Sequence, residues 1–186
     1  MSARELPLVA VYDANVLYPA GIRDILIRLH DAGLVQPHWT EKILDEAFSH
    51  LLVNRPDIKP ERIARTRELM NIAAPDAMVT GYEKHLTPCQ LPDLDDCHVL
   101  AAAIKSKSQL IVTQNRIDFP LSVLQNWSIV AVNLEEFFEL LIERDKSGII
   151  QVFTEAAADL KNPPMTPREL AEGFAMFGVT SVVELF

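Results

Sequence analysis

A chain of 186 residues, 49% apolar and 23% charged, is long enough for one domain with a real core and too short for two ordinary ones, which excludes a disordered or fibrous protein. Its net charge of −9 argues against a simple nucleic-acid coat, whose affinity comes from a basic surface releasing counterions, and weighs less against an enzyme that meets its substrate through metal ions. Cys89 and Cys97 are too few for a disulfide framework, the first seven residues lack the apolar core of a signal peptide, and no apolar run nears the roughly 18 residues of a membrane helix, so a soluble protein of the reducing cytoplasm is expected.

Leu8 to Tyr12 is a β-branched apolar run, the pattern of a strand buried on both faces of a parallel sheet, and it ends at Asp13. Ligands gather at the carboxyl ends of such strands, which puts Asp13-Ala14-Asn15 where chemistry is expected. A turn aspartate capping the next helix accounts for Asp13 equally well. Ile22 to Ala32 reads as an amphipathic helix closed by Gly33. Thr40 opens the next, with Trp39 and Leu44 spaced as a hydrophobic staple and Ile43, Leu44, Ala47, Phe48, Leu51 and Leu52 as its buried stripe. Asp45 and Glu46 lie on the margins of that stripe, and helical geometry alone does not say which of them turns toward a site.

Arg55 to Pro60 breaks this helix, and Pro60 begins a third that carries Arg62, Arg65 and Arg67. Five positive against three negative residues between Arg55 and Glu68 make this the one basic region, readable as a solvated face or as an RNA-contact patch. Ala77 to Tyr82 is a candidate strand. The acidic stretch Asp93-Leu94-Asp95-Asp96 then runs into an alanine-rich helix, with Asp95 as a natural N-cap. At about 100° per residue Asp96 shares a face with Val99, Leu100 and Ala103. Capping is one reason for these acids. A hard cation is the other, because packing carboxylates together costs free energy unless a cation sits among them.

Gln109 to Thr113 is a buried strand that again ends in polar residues, Gln114 to Asp118. Ser128 to Val132 is a further strand, and Leu134 to Arg144 a helix. Strands alternating with helices predict an α/β fold, a parallel wound sheet with helices on both faces. Beyond Ser147-Gly148 only helices are expected: Ile149 to Leu160, the break Asn162-Pro163-Pro164, a helix capped by Thr166 with Pro167 at N1, and a last segment to Phe186. The expected organisation is an α/β domain over residues 1–146 and a helical C-terminal extension over 147–186.

No G-x-G-x-x-G follows the first strand and no G-x-S-x-G is present, so dinucleotide binding and a serine nucleophile are excluded. A phosphotransferase or phosphatase with an aspartyl nucleophile stays open, although Asn15 stands where a second aspartate is usual. The spacing of His85, Cys89, Cys97 and His98 matches none of the usual zinc knuckles. Hydrolysis by clustered carboxylates and a hard cation is left.

Four pieces in order, Val11-Tyr12-Asp13-Ala14-Asn15-Val16-Leu17, Leu44-Asp45-Glu46-Ala47, Asp95 to Ala103 and Ile111 to Phe119, give a chain that resembles PIN-domain ribonucleases of the VapC toxin type from about Val9 to Arg144. The resemblance implies a PIN-like sheet of four to five strands and a metal-dependent endoribonuclease using Mg²⁺ or Mn²⁺. It makes Asp13, Glu46 and Asp96 the metal-binding acids, supported by Asn15, Thr113 and Asp95. Many relatives carry an aspartate where this chain has Asn115, so Asp118 is expected to supply the fourth acid, with Asn115 in a supporting place. It further implies an RNA substrate such as tRNA, with weak contacts at Arg62, Arg65 and Arg67, and a cognate antitoxin as partner. It leaves open whether two copies pair as a homodimer. A non-catalytic protein whose acidic groove takes basic peptides is the rival reading.

Overall fold

The computed structural model describes residues 6–86 and 89–186. Four parallel strands, β1 (Leu8–Tyr12), β2 (Val35–His38), β3 (Leu110–Val112) and β4 (Val130–Val132), lie in the order β2-β1-β3-β4. The apolar runs read as β1, β3 and β4 are strands, and Ala10, Val11, Tyr12, Ile111 and Val112 are almost wholly buried. β2 was not anticipated. It is four residues long, half polar and interrupted by Pro37, which an edge strand tolerates because one side of its backbone needs no ladder partner. The candidate strand at Ala77 to Tyr82 shrinks to one bridge, Trp39 to Met78.

Helices α1 (Ala14–Leu17) and α2 (Ala20–Asp31) join β1 to β2, and Gly33 takes the left-handed conformation just past α2 that favours glycine. Helix α3 (Glu41–Asn54) starts as the sequence predicts, with the Thr40 hydroxyl accepting the Ile43 N–H at 3.1 Å. Helices α4 (Pro60–Ala73) and α5 (Cys97–Ser106) follow before the chain returns to β3 on the other side of β1. This reversal leaves a crevice between the carboxyl ends of β1 and β3, where open α/β sheets bind their ligands. Helix α6 (Leu121–Leu124) leads to β4.

The helices expected at Leu134 to Arg144 and Ile149 to Leu160 are one kinked element, α7 (Leu134–Asp159). At the kink Asp145 leaves helical geometry, and its carboxylate accepts the Ser147 hydroxyl and the Gly148 N–H at 2.7 and 2.9 Å, so it caps the second half afresh. A Cβ on Gly148 would come within 2.7 Å of the Asp145 carboxylate, which explains the glycine. Helix α8 (Pro167–Phe174) begins with the capping box of Thr166 and Glu169, with Pro167 at its start.

The core under the sheet continues into this tail through aromatic rings. Tyr12 meets Phe137 edge-on at 6.0 Å, Phe137 meets Phe138, and Phe138 and Phe153 both meet Phe174, at 5.9 and 5.2 Å. Phe153 also lies 6.2 Å from Phe186. Among the described residues no helix is long and apolar enough to cross a membrane.

Candidate active site

Asp13 stands at the carboxyl end of β1, where its N–H continues the ladder to Val112 O at 3.1 Å, and it is only 6% exposed. Its Oδ1 accepts the Ala14 N–H at 2.7 Å, so the capping reading is correct as far as it goes. A cap would leave the other oxygen free. Instead Oδ2 accepts the Asn15 amide and the Thr113 hydroxyl, each at 2.7 Å, and Asn15 Oδ1 accepts the Gln114 N–H at 3.0 Å. The ends of β1 and β3 are thereby tied through one oriented carboxylate. Burial, together with the charge of Asp118, pushes the Asp13 pKa up, while the bonds from Thr113, Ala14 and Asn15 pull the other way.

Asp13 opens on a cavity of about 550 Å³ that is also lined by Asn15, Glu46, Asp95 and Asp96, bringing acids from three separate parts of the chain to one place. Asp96 ends the 3₁₀ turn Leu94–Asp96 ahead of α5 and makes no side-chain capping bond. The cap is Asp93, which accepts the Asp95 N–H at 2.8 Å, so the expectation of Asp95 as N-cap is corrected: the helix starts at Cys97, later than the pattern implied. Burial and the surrounding charges of Asp13, Asp118, Asp93 and Glu46 raise the Asp96 pKa to about 6. On α3 the ambiguity between neighbouring acids resolves. Asp45 points away to Arg67 at 2.6 Å, whereas Glu46 faces the cavity, its pKa raised by burial and by Asp13 and Asp95 against the pull of Lys42.

Asp118 lies outside the lining of the cavity, bonded to the Asn115 amide, yet close enough for its charge to act on Asp13 and Asp96. Asn115 also donates its N–H to the Thr113 hydroxyl at 3.1 Å. Arg62, Arg65 and Arg67 do not line the cavity; Arg65 pairs with Glu68, and Arg67 with Asp45 and Glu41. The charges of Arg65 and Arg67 are spent locally.

The pattern of apolar residues missed Tyr18, His50 and Asn54 on the cavity wall, where the Asn54 amide donates to the Tyr18 hydroxyl at 3.2 Å. The signal was present, since Glu46, His50 and Asn54 recur every four residues along one face of α3. Cys89 and Cys97 form a single disulfide, their Cα atoms 5.8 Å apart, which removes both thiols from any zinc site.

Among the described residues no group of three or more His, Cys, Asp or Glu side chains is gathered closely enough to hold a metal ion. Mg²⁺ needs none, because it keeps several waters and is commonly held by one or two carboxylates together with substrate phosphate. The donors here are carboxylate oxygens, suited to Mg²⁺ or Mn²⁺, and their mutual repulsion is the condition a cation relieves.

The family model described as PIN domain matches residues 9–117. This chain belongs to the PIN-domain family. Residues 135–185 match a second model, described as the VapC50 C-terminal domain, which makes this a PIN-domain protein of the VapC type. A relative from Mycobacterium tuberculosis (strain ATCC 25618 / H37Rv), named "Putative ribonuclease VapC50", is 28% identical over 117 residues, covering 60% of this chain and 68% of the relative. No solved structure matches the chain.

Proposed function

We propose that this PIN-domain protein is a Mg²⁺- or Mn²⁺-dependent endoribonuclease acting as the toxin of a VapBC-type pair, with an antitoxin that blocks the acidic cavity. The observation that carries the reading is the convergence of Asp13, Glu46 and Asp96 on one cavity at the β1–β3 crevice, with Asp96 held at about 6 by burial and its acidic neighbours. The PIN-domain match and the ribonuclease name of the relative support it.

Asp13, Glu46 and Asp96, with Asp118 behind them, would hold the metal, which when bound supplies charge neutralisation at the scissile phosphate and a more acidic water. The residues of the chain do the rest. Thr113 and Asn15 fix the direction of the Asp13 carboxylate before any ligand arrives. Asp96, its carboxyl raised to about 6 by burial and by Asp13, Asp118, Asp93 and Glu46, is the acid whose charge a bound cation would relieve. An aspartyl nucleophile is disfavoured, because Asn15 stands where a second aspartate is usual and its amide is bonded to Asp13 Oδ2. An arginine from the antitoxin could fill the same acidic cavity. The division into a PIN unit over 1–146 and a C-terminal extension over 147–186 belongs to the same proposal.

The test is cleavage of a tRNA pool by purified protein. Products should form with Mg²⁺ or Mn²⁺, vanish in EDTA, and vanish with Asp13→Asn. Undiminished cleavage in chelator would refute the metal reading, and absence of any inhibitory partner in the native cell would refute the toxin role.

A further inference from the structure

His98 is a buried polar group that the proposed chemistry does not yet use. It is the second residue of α5, two beyond Asp96, and only 3% exposed. Neither Nδ1 nor Nε2 has a hydrogen-bond partner among the described residues, which is costly for a buried polar group. Nε2 nevertheless lies 3.1 Å from Glu46 Oε1, within bonding distance but out of line. The same oxygen faces Lys42 Nζ at 3.7 Å. No hydrogen bond among the described residues engages Oε2. Oε1 of Glu46, a residue that lines the cavity, is therefore the oxygen turned to His98 and Lys42.

We propose that His98 is a positioning residue for Glu46: its Nε2–H donates to Oε1 and so fixes the direction of the carboxylate that would hold the cation. The proposal rests on the reading of Glu46 as a metal-binding acid. Hydrogen bonds at such sites are often poorly aligned without ligand and tighten in the complex. Lys42 cannot do this alone, because it is half exposed on a flexible stem and surface pairs of that kind hold little geometry. The ring of His98 is rigid and packed, and it links α5, just past Asp96, to α3, so two acids from distant parts of the chain are spaced through one imidazole.

The test is Mn²⁺ affinity of the RNA-free protein by titration calorimetry for wild type, His98→Leu and His98→Gln, each also in a Glu46→Gln background. Removing an outer partner of a metal ligand typically weakens metal binding about 10- to 100-fold, and that loss is expected for His98→Leu. His98→Gln, which can place an amide N–H near the Nε2 position, should recover most of it. The metal-free melting temperature of His98→Leu should not fall, since an unpartnered polar group is replaced by an apolar one. In the Glu46→Gln background the leucine should add nothing. Wild-type Mn²⁺ affinity in His98→Leu overturns the proposal while leaving Glu46 a ligand. Equal losses in His98→Leu and His98→Gln that persist with Glu46→Gln also overturn it. If His98→Leu does not fold, the glutamine decides against His98→Asn, which cannot reach Oε1 and should bind weakly. Wild-type affinity in Glu46→Gln removes the ligand reading and this proposal with it.

Discussion

Replacing Asp96 by asparagine keeps the shape of the side chain and removes its charge, and no capping bond is lost because Asp96 makes none. The carboxyl is moved from an ordinary 3.8 to about 6, which at about 1.36 kcal/mol per pH unit is worth roughly 3 kcal/mol. Asp96 is only partly buried, and solvent screening brings the figure to about 1 kcal/mol. Because the folded value is the higher one, the protonated form is the stabilising one. That contribution is complete below the unfolded value and is lost as pH rises through about 6. In EDTA at pH 7.5, Asp96→Asn should therefore melt about 2–4 °C above wild type, a gap that closes at pH 4. Saturating Mn²⁺ should reverse the order: a ligand at 100 times its dissociation constant adds about 2.7 kcal/mol to wild type, and the variant should lose most of that gain. Scanning calorimetry at the two pH values, with and without metal, reads every arm. A variant that melts below wild type in EDTA at pH 7.5, or equal metal-induced shifts in both proteins, would refute the reasoning.

If Asp118 supplies the charge that Asn115 lacks, Asp118→Asn should weaken Mn²⁺ binding and cleavage at least tenfold, while Asn115→Ala has a smaller effect; the reverse ranking in a metal titration would assign the role to Asn115. The disulfide closes a short loop between residues eight apart, and chain-entropy arithmetic gives it about 2.5 kcal/mol, so Cys89→Ser should lower the unfolding free energy by up to that amount in urea. Unchanged stability would mean that the bridge does not constrain the unfolded chain.

Much of the fold was legible because local signals agreed with the global arrangement: the apolar runs of β1, β3 and β4, the Thr40 and Thr166 caps, and Pro60 and Pro167 at helix starts. β2 was not, since pairing with β1 rather than composition makes Val-Gln-Pro-His a strand. Asp13 could be suspected from its place after a strand. The choice between Asp45 and Glu46 could not, because it depends on where Arg67 of another helix lies. Nor could the contact of His98 with Glu46, which spans residues far apart in sequence, be read from any local spacing. The single bridge lay beyond the sequence for a related reason: composition speaks to a framework of bridges, and folding alone brings Cys89 beside Cys97.

The run of rings from Tyr12 through Phe137, Phe138 and Phe174 to Phe153 and Phe186 joins the first strand to the last residue of the chain. Each edge-to-face pair adds roughly 0.5–1.5 kcal/mol beyond its burial, so the tail cannot lift away without uncovering faces that wall the sheet. Its backbone amides should then exchange hydrogen with solvent at rates set by the same opening that exposes β1, as one cooperative unit rather than as a loosely held flap. The tail also grips α7, where Glu135 accepts bonds from both Thr180 and Ser181, and it touches the loop after β3 through the Gln114 amide on Phe177 O at 2.9 Å. A disturbance at the far end of the chain is thereby felt one residue from Thr113, in the order of the carboxylate it holds.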